Sequence, residues 1–251
     1  MKRDDPIYIG TSGWCYDSWN GKFYPETIRG PDRLKFYAGK FNTVEINSSF
    51  YHLPRAETFK GWAVKTPDDF RFTVKASRYI THVKRLKECG DAVGKLIDSA
   101  SNLGGKMALL LFQMPANLIK EKERFISFLK ILPEKYRYVF EFRHESWFSD
   151  DIYKLLNQYK CGIVISSSPE FPFHEIVTGG ICYVRLHGSS SLYRSRYSDS
   201  ELKELADMIR KNIGNNLLSF IYFNNDAHGY AVENALTLQK ILLESKRSET
   251  H

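Results

Sequence analysis

Short runs rich in Val, Ile, Phe and Tyr alternate with longer stretches whose apolar residues recur at helical spacing, and the alternation continues along the chain. The short runs predict strands over residues 7–12, 43–47, 71–75, 107–113, 138–143, 162–166, 183–187 and 220–224. Between the third and fourth of these, Ala92, Val93, Leu96, Ile97, Ala100 and Leu103 form an apolar stripe of helical period. Ser198, with Glu201 three residues later, has the form of a capping box. The helix it starts would bury Leu202, Leu205, Ala206, Ile209 and Ile213. Val232, Ala235, Leu236, Gln239 and Leu242 make a last stripe.

Strand–helix alternation over the whole length implies parallel strands joined by crossover helices. Eight such units predict the α/β class and a single (β/α)8 TIM-barrel domain over residues 1–251, a usual length for that fold. Residues 167–180 are too short and too rich in proline for a full helix, so the barrel is expected to be irregular between strands 6 and 7. An open doubly wound sheet is the alternative, but no glycine-rich dinucleotide or P-loop motif supports it.

Side chains alternate faces along a strand, and this rule locates the candidate chemistry. Glu45 shares a face with Asn47, Thr73 with Lys75, Glu141 with Arg143, and Arg185 with His187, while their neighbours are apolar. The apolar faces would pack on helices, leaving the polar ones to point into the barrel. Each polar pair falls toward the C-terminal end of its strand, the face where barrel enzymes carry their active sites. Gln113 and Asn224 end two further strands in the same way, with Asp226 close behind. Charges are seldom buried unless paired, so a convergence of both signs points to function rather than to core filling.

The residue types suggest roles. Glu45 and Glu141 are candidates for general acid and base, and His187 for a proton shuttle. Lys75, Arg143 and Arg185 suit a phosphate or carboxylate. Ser12, in the turn after the first strand, suits a ligand hydrogen bond, since no GxSxG elbow marks it as a nucleophile. Aromatics crowd the loops: Trp14, Tyr16, Trp19, Phe23 and Tyr24 after the first strand, Phe50 and Tyr51 after the second, Trp147 and Phe148 after the fifth, Tyr193 and Tyr197 after the seventh. They can stack on a sugar or base, Trp14 and Tyr16 being the candidates here, or pin the loops to the rim.

Composition narrows the choice. A formal net charge of +7 favours an anionic ligand, from sugar phosphates to nucleic acid. His82, His144, His187, Glu45, Glu141 and Asp226 are the residue types of a metal site, but no HExxH or HxH spacing unites them. Basic residues in the same interior would repel a cation, so no tightly bound metal is expected and no cofactor is indicated. Cys15, Cys89, Cys161 and Cys182 lack paired spacing, which suits a reducing compartment. With no signal-like start and no long apolar run, a cytoplasmic location without membrane insertion is expected.

The motifs also carry a resemblance. Gly10-Thr11-Ser12-Gly13-Trp14 with Tyr16 and Trp19, then Phe23-Tyr24-Pro25, resembles the opening of the YecE-like family, domain of unknown function 72. Val44-Glu45-Ile46-Asn47 leading to Phe50-Tyr51, Phe72-Thr73-Val74-Lys75-Ala76 leading to Thr81-His82, and Phe112-Gln113-Met114-Pro115 follow in order. Glu141-Phe142-Arg143-His144 with Trp147, Arg185-Leu186-His187-Gly188, and Tyr222-Phe223-Asn224-Asn225-Asp226 complete it. The resemblance implies a TIM barrel and no particular activity. Its barrel is similar to that of the endonuclease IV and xylose isomerase group, an analogy of fold that suggests sugar or phosphodiester chemistry. One departure stands out: Ser166-Ser167-Ser168 occupies the end of the sixth strand, where many relatives are expected to carry an Asp.

Three functional readings follow. The first is an enzyme acting by acid–base chemistry on a small anionic or sugar-containing ligand. The second is a nucleic-acid-binding or metal-dependent phosphoesterase, and the third a non-catalytic ligand-binding barrel.

Overall fold

The computed structural model describes residues 7–214 and 217–248, without the side chains of 212–214 and 245–248. Eight parallel strands run β1 (Ile7–Thr11), β2 (Thr43–Ile46), β3 (Arg71–Lys75), β4 (Met107–Gln113), β5 (Tyr138–Glu141), β6 (Gly162–Ser167), β7 (Ile181–Leu186) and β8 (Leu218–Phe223). Their hydrogen-bonded order is β1-β8-β7-β6-β5-β4-β3-β2, a sheet curled into a nearly closed barrel. Helices α1 (Gly30–Ala38), α2 (Ser48–Tyr51), α3 (Ala56–Val64), α4 (Gly90–Ala100), α5 (Lys122–Lys130), α6 (Asp150–Gln158), α7 (Asp199–Gly214) and α8 (Tyr230–Ser248) connect and cover it. No helix follows β6, where the chain returns to β7 through a single Thr178–Ile181 bridge. The irregularity expected between strands 6 and 7 is therefore present.

The strand expectations hold to within two residues at each end. Buried Val93, Leu96, Ile97 and Ala100 are the α4 stripe, and Ser198 and Glu201 exchange capping-box hydrogen bonds ahead of α7. The last stripe needs correction: Leu236 is 39% exposed, and Leu238, one turn on from Ala235, is buried in its place. The side chain of Ile213 lies outside the described ones. No described helix is long and apolar enough to cross a membrane.

β1 and β2 meet without a ladder, and side chains close the seam between them. Asn42 accepts from the Ile9 amide at 3.1 Å and donates to the Ile7 carbonyl at 3.0 Å. The Tyr37 hydroxyl, reaching in from α1, accepts from the Thr11 amide at 2.8 Å and donates to the Thr43 carbonyl at 3.0 Å. Gly10 permits the approach, because a Cβ there would lie 2.1 Å from the Thr43 oxygen. Above Tyr37 the strands touch directly, the Gly13 amide donating to the Glu45 backbone carbonyl at 2.8 Å.

The outward faces of the strands, among them Val44, Ile46, Val74, Phe112, Phe140, Ile165 and Val184, pack on the helices in one large core. A second core fills the lower barrel with Leu109, Leu111, Val139, Val164, Ile181, Tyr183, Phe220 and Tyr222. Tyr222 places its hydroxyl 2.6 Å from Thr43 Oγ1 and 2.9 Å from Thr73 Oγ1. Above this layer the inward face becomes ionic.

Candidate active site

Strand periodicity brings most of the expected residues together. One step up from the apolar layer, β2 offers Glu45, β3 Lys75, β4 Gln113, β5 Glu141, β6 Ser166 and β7 Arg185, all buried. Arg185 is the hub. Its Nε and Nη2 donate to the two oxygens of Glu45 at 3.0 and 2.7 Å, and its Nη1 donates to Glu141 Oε2. Ser12 Oγ and the Tyr183 hydroxyl complete Glu45, donating at 2.7 and 2.6 Å. Glu141 receives Gln113 at 2.8 Å, Arg143 Nε at 3.1 Å and faces His187 Nε2 at 3.2 Å.

Each carboxylate therefore has four hydrogen-bond contacts, and a carboxylate has about four lone-pair sites. Burial pushes both acids up, but Arg185, joined at Glu141 by Arg143, outweighs it and holds both below the ordinary carboxylate range. Neither oxygen pair has a position free for an incoming proton. The roles of general acid and base expected for Glu45 and Glu141 thus meet a geometric obstacle.

His187 is similarly engaged. Asn224 Nδ2 lies 3.1 Å from its Nδ1, while Nε2 faces Glu141. This pairing selects the neutral tautomer protonated on Nε2. Burial, then the adjacent Arg185, lowers its pKa to about 4, so the ring stays uncharged at neutral pH.

Lys75 contrasts with all of these. It is 8% exposed, and no hydrogen bond or ion pair joins its ammonium to any described residue. Nζ stands 4.1 Å above the centre of the Phe50 ring. Burial and then Arg185 lower its pKa to about 7, a fall that Glu141 and Glu45 only partly oppose. His82 closes the same wall, its ring 5.1 Å from Phe50 and its pKa lowered to about 4 by burial and then by Lys75. Beside Lys75, one position beyond the Ile46–Val74 register pair, Asn47 has a buried Oδ1 without a hydrogen-bond partner. Ser166 Oγ is unpartnered too, at 2% exposure and opposite Arg185 in register.

The loops above carry the remaining candidates. Arg143 Cζ stands over the Phe171 ring, 4.0 Å from its centroid, with Nη2 3.5 Å from the Tyr193 hydroxyl. Tyr193 holds a φ of 61° and packs edge-on to His187. Tyr16 donates to the Ser12 carbonyl at 2.5 Å, and Trp14 sits edge-on to Trp62. Asp226 accepts from Trp19 Nε1 at 2.5 Å, and burial raises its pKa to about 6. Trp19, Tyr24 and Trp147 are core residues that fix loops, which answers the question for those three aromatics.

The loop after β3 is strained. Tyr79–Val83 winds as a π-helical turn, and Arg85, Leu86 and Glu88 follow at φ of 49°, 68° and 47°. Such backbone persists only where its surroundings enforce it. Here Arg85 clamps Asn117 at 3.1 and 2.9 Å and Leu86 is buried.

Among the described residues no group of three His, Cys, Asp or Glu converges as a metal centre. A cavity of about 910 Å³ opens at the opposite end of the barrel, lined by Leu109, Arg137 and Lys160 among others. It contains none of the converging polar side chains, which lie at the C-terminal face and make that face the candidate site.

These elements define the class: a (β/α)8 barrel with a buried mixed-charge cluster at the C-terminal ends of its strands. More particularly, the chain belongs to the family described as "Protein of unknown function DUF72", which matches residues 8–251. It is 29% identical to UPF0759 protein YecE of Escherichia coli (strain K12), over 76% of this chain and 77% of that one. It is 26% identical to UPF0759 protein YunF of Bacillus subtilis (strain 168), over 94% of each. The crystal structure of a DUF72 family protein from Thermotoga maritima superimposes with a TM-score of 0.84 at 30% identity, covering 94% of this chain and 99% of that one. The resemblance read from the motifs is thereby established.

Sequence reasoning missed Tyr183, Ser166 and Phe171. Tyr183 reads as one more apolar strand residue, although alternation puts it on the face of Arg185. Ser166 was visible only as a departure from an expected Asp. Phe171 lies in the helix-free return to β7, where no periodicity operates.

Proposed function

We propose that the barrel binds a small anionic ligand bearing hydroxyl or carbonyl oxygens and transforms it by acid–base chemistry. The observation that carries this reading is a charge imbalance. Glu45 and Glu141 are matched by Arg185 and Arg143 and saturated with hydrogen bonds, leaving Lys75 buried without a counter-charge. A phosphate or carboxylate beside Lys75 and the outer edge of Arg143 would supply one. Asn47 and Ser166 offer unpartnered polar atoms for the ligand's other oxygens.

In this reading Glu45 and Glu141 hold Arg185 in place, and Gln113, Tyr183 and Ser12 hold them. His187 and Asn224 buttress Glu141 from above. Proton exchange falls to Lys75 and Asp226, the site groups whose pKa values, about 7 and about 6, lie close to neutrality. Trp14, Tyr16, Phe171 and Tyr193 would enclose the ligand. The chain would act as one barrel unit in the compartment expected from its sequence.

Isothermal titration of sugar phosphates, inorganic phosphate and small carboxylates, in two buffers of different ionisation enthalpy, tests the reading. An anion that binds beside Lys75 raises its pKa, so binding at pH 8 takes up about one proton. Binding with no proton uptake, or none across the set, would remove it.

A further inference from the structure

Three features converge on Lys75 that counter-ion binding alone does not require. The side chain is buried, yet the two neighbouring carboxylates already make four hydrogen-bond contacts each, none of them to Lys75. Its nitrogen stands 4.1 Å over the Phe50 ring and makes no hydrogen bond to a described residue. Arg185 and Arg143 raise the cost of a proton on it. A lysine desolvated beside another cation is the arrangement that frees an amine lone pair near neutrality.

Resting on the anion-binding reading above, we propose that Lys75 is a covalent nucleophile: its Nζ condenses with the carbonyl carbon of a small aldehyde or ketone carrying a carboxylate or phosphate. The nitrogen lone pair forms the C–N bond while the carbonyl π pair moves to oxygen, which takes up a proton as the nitrogen gives one up and so regains its lone pair. The resulting carbinolamine loses its hydroxyl as water, with a second proton, as the nitrogen pair forms the C=N bond. Amine and carbonyl thus give imine and water, and no oxidant or reductant enters. Protonated, the imine is again a cation over the Phe50 ring, where the ring face stabilises it, and beside the ligand's own negative group. The condensation therefore restores the charge that burial removes from the free amine.

The test is reductive trapping on the full chain. Pyruvate or dihydroxyacetone phosphate is added at pH 7.5 with cyanoborohydride, and adducts are located by peptide mass spectrometry. Solvated lysines, with an ordinary pKa near 10.4, hold far less free amine, so Lys75 should label about 100-fold faster than they do. Inorganic phosphate should slow that labelling, and Lys75→Arg should abolish it while leaving the slow surface background. Lys75→Met, checked for an unchanged circular dichroism spectrum, provides the same control without the added bulk. If these compounds bind by calorimetry but label Lys75 no faster than surface lysines, the imine is overturned and anion binding survives. If they neither bind nor label, both fall.

Discussion

The barrel interior has two layers built on the same strands and held by opposite means. In the lower layer Leu109, Leu111, Val139, Val164 and Ile181 fill the space with apolar volume. One or two residues up, Glu45, Glu141 and Arg185 fill it with charge, at equal burial. Apolar packing is non-directional and tolerates repacking within its volume. The ionic layer is directional, since each carboxylate needs its four donors in place before burial ceases to be costly. The lower layer therefore stabilises the barrel, while the upper one fixes the positions of side chains at some risk to stability.

The sharpest way to break the contrast is Arg185→Met, which strands two buried carboxylates. The expected loss is about 5 kcal/mol at pH 7, from urea denaturation. In the wild type both acids lie below their ordinary pKa, so their contribution is present above the unfolded carboxylate value and is lost as pH falls through the folded one. In the variant they titrate upward instead, so the gap to wild type should narrow toward pH 4. Leu111→Ala in the lower layer should cost about 3 kcal/mol through the cavity it leaves. That loss should be the same at pH 4 and pH 8, and a pH-dependent loss would mean the two layers are not separable.

Lys75→Met sharpens the comparison because its sign reverses. The groups facing this ammonium are Glu45 from β2, Glu141 from the end of β5 and Arg143 from the loop after it, Arg185 from β7, and His82 from the loop after β3. With its pKa lowered from 10.5 to about 7, the folded protein binds fewer protons than the unfolded chain between those values. The wild type accordingly gains stability as pH rises through that window and carries the full cost of the buried charge below it. The variant should be more stable than wild type at pH 6, by a margin that shrinks as pH rises from 7 and fades by pH 10.5. Equal stability at both ends would mean that Lys75 is solvated, and the imbalance behind the proposed function would go with it.

The same contrast explains what the sequence revealed. Alternation is a property of one strand, so Glu45 with Asn47, or Arg185 with His187, could be placed on a face by counting. Opposite charges at corresponding heights then implied convergence. Which lone pair each donor occupies depends on five strands meeting, and no spacing encodes that. Glu45 and Glu141 consequently read as a candidate acid and base, whereas Lys75, read as one of several anion ligands, is the charged group of the cluster left without a partner. Leu236 and Leu238 show the limit in a helix, where a stripe two residues wide leaves its edge undecided until the neighbouring element is known. The β1–β2 seam was hidden for another reason, since the side chains that close it belong to α1 and to the turn before β2.

That seam gives the smallest and most local prediction. Everywhere else around the barrel, backbone ladders join neighbouring strands, but here one phenol bridges the Thr11 amide and the Thr43 carbonyl. Tyr37→Phe removes the bridge without altering the packing of the ring, and should cost about 1–2 kcal/mol by leaving two buried backbone groups unpaired. Hydrogen exchange should quicken in β1 and β2 and stay unchanged in β6 and β7, whose ladder is backbone throughout. The effect should reach the site along one route, because Ser12 and Glu45 stand directly above the seam and share a 2.7 Å hydrogen bond. Glu141 would keep its donors, so anion affinity should fall only slightly while the Glu45 side of the cluster loosens. Uniformly faster exchange around the whole barrel would instead show that the phenol supports global closure, and that the two ends of the sheet are coupled through it.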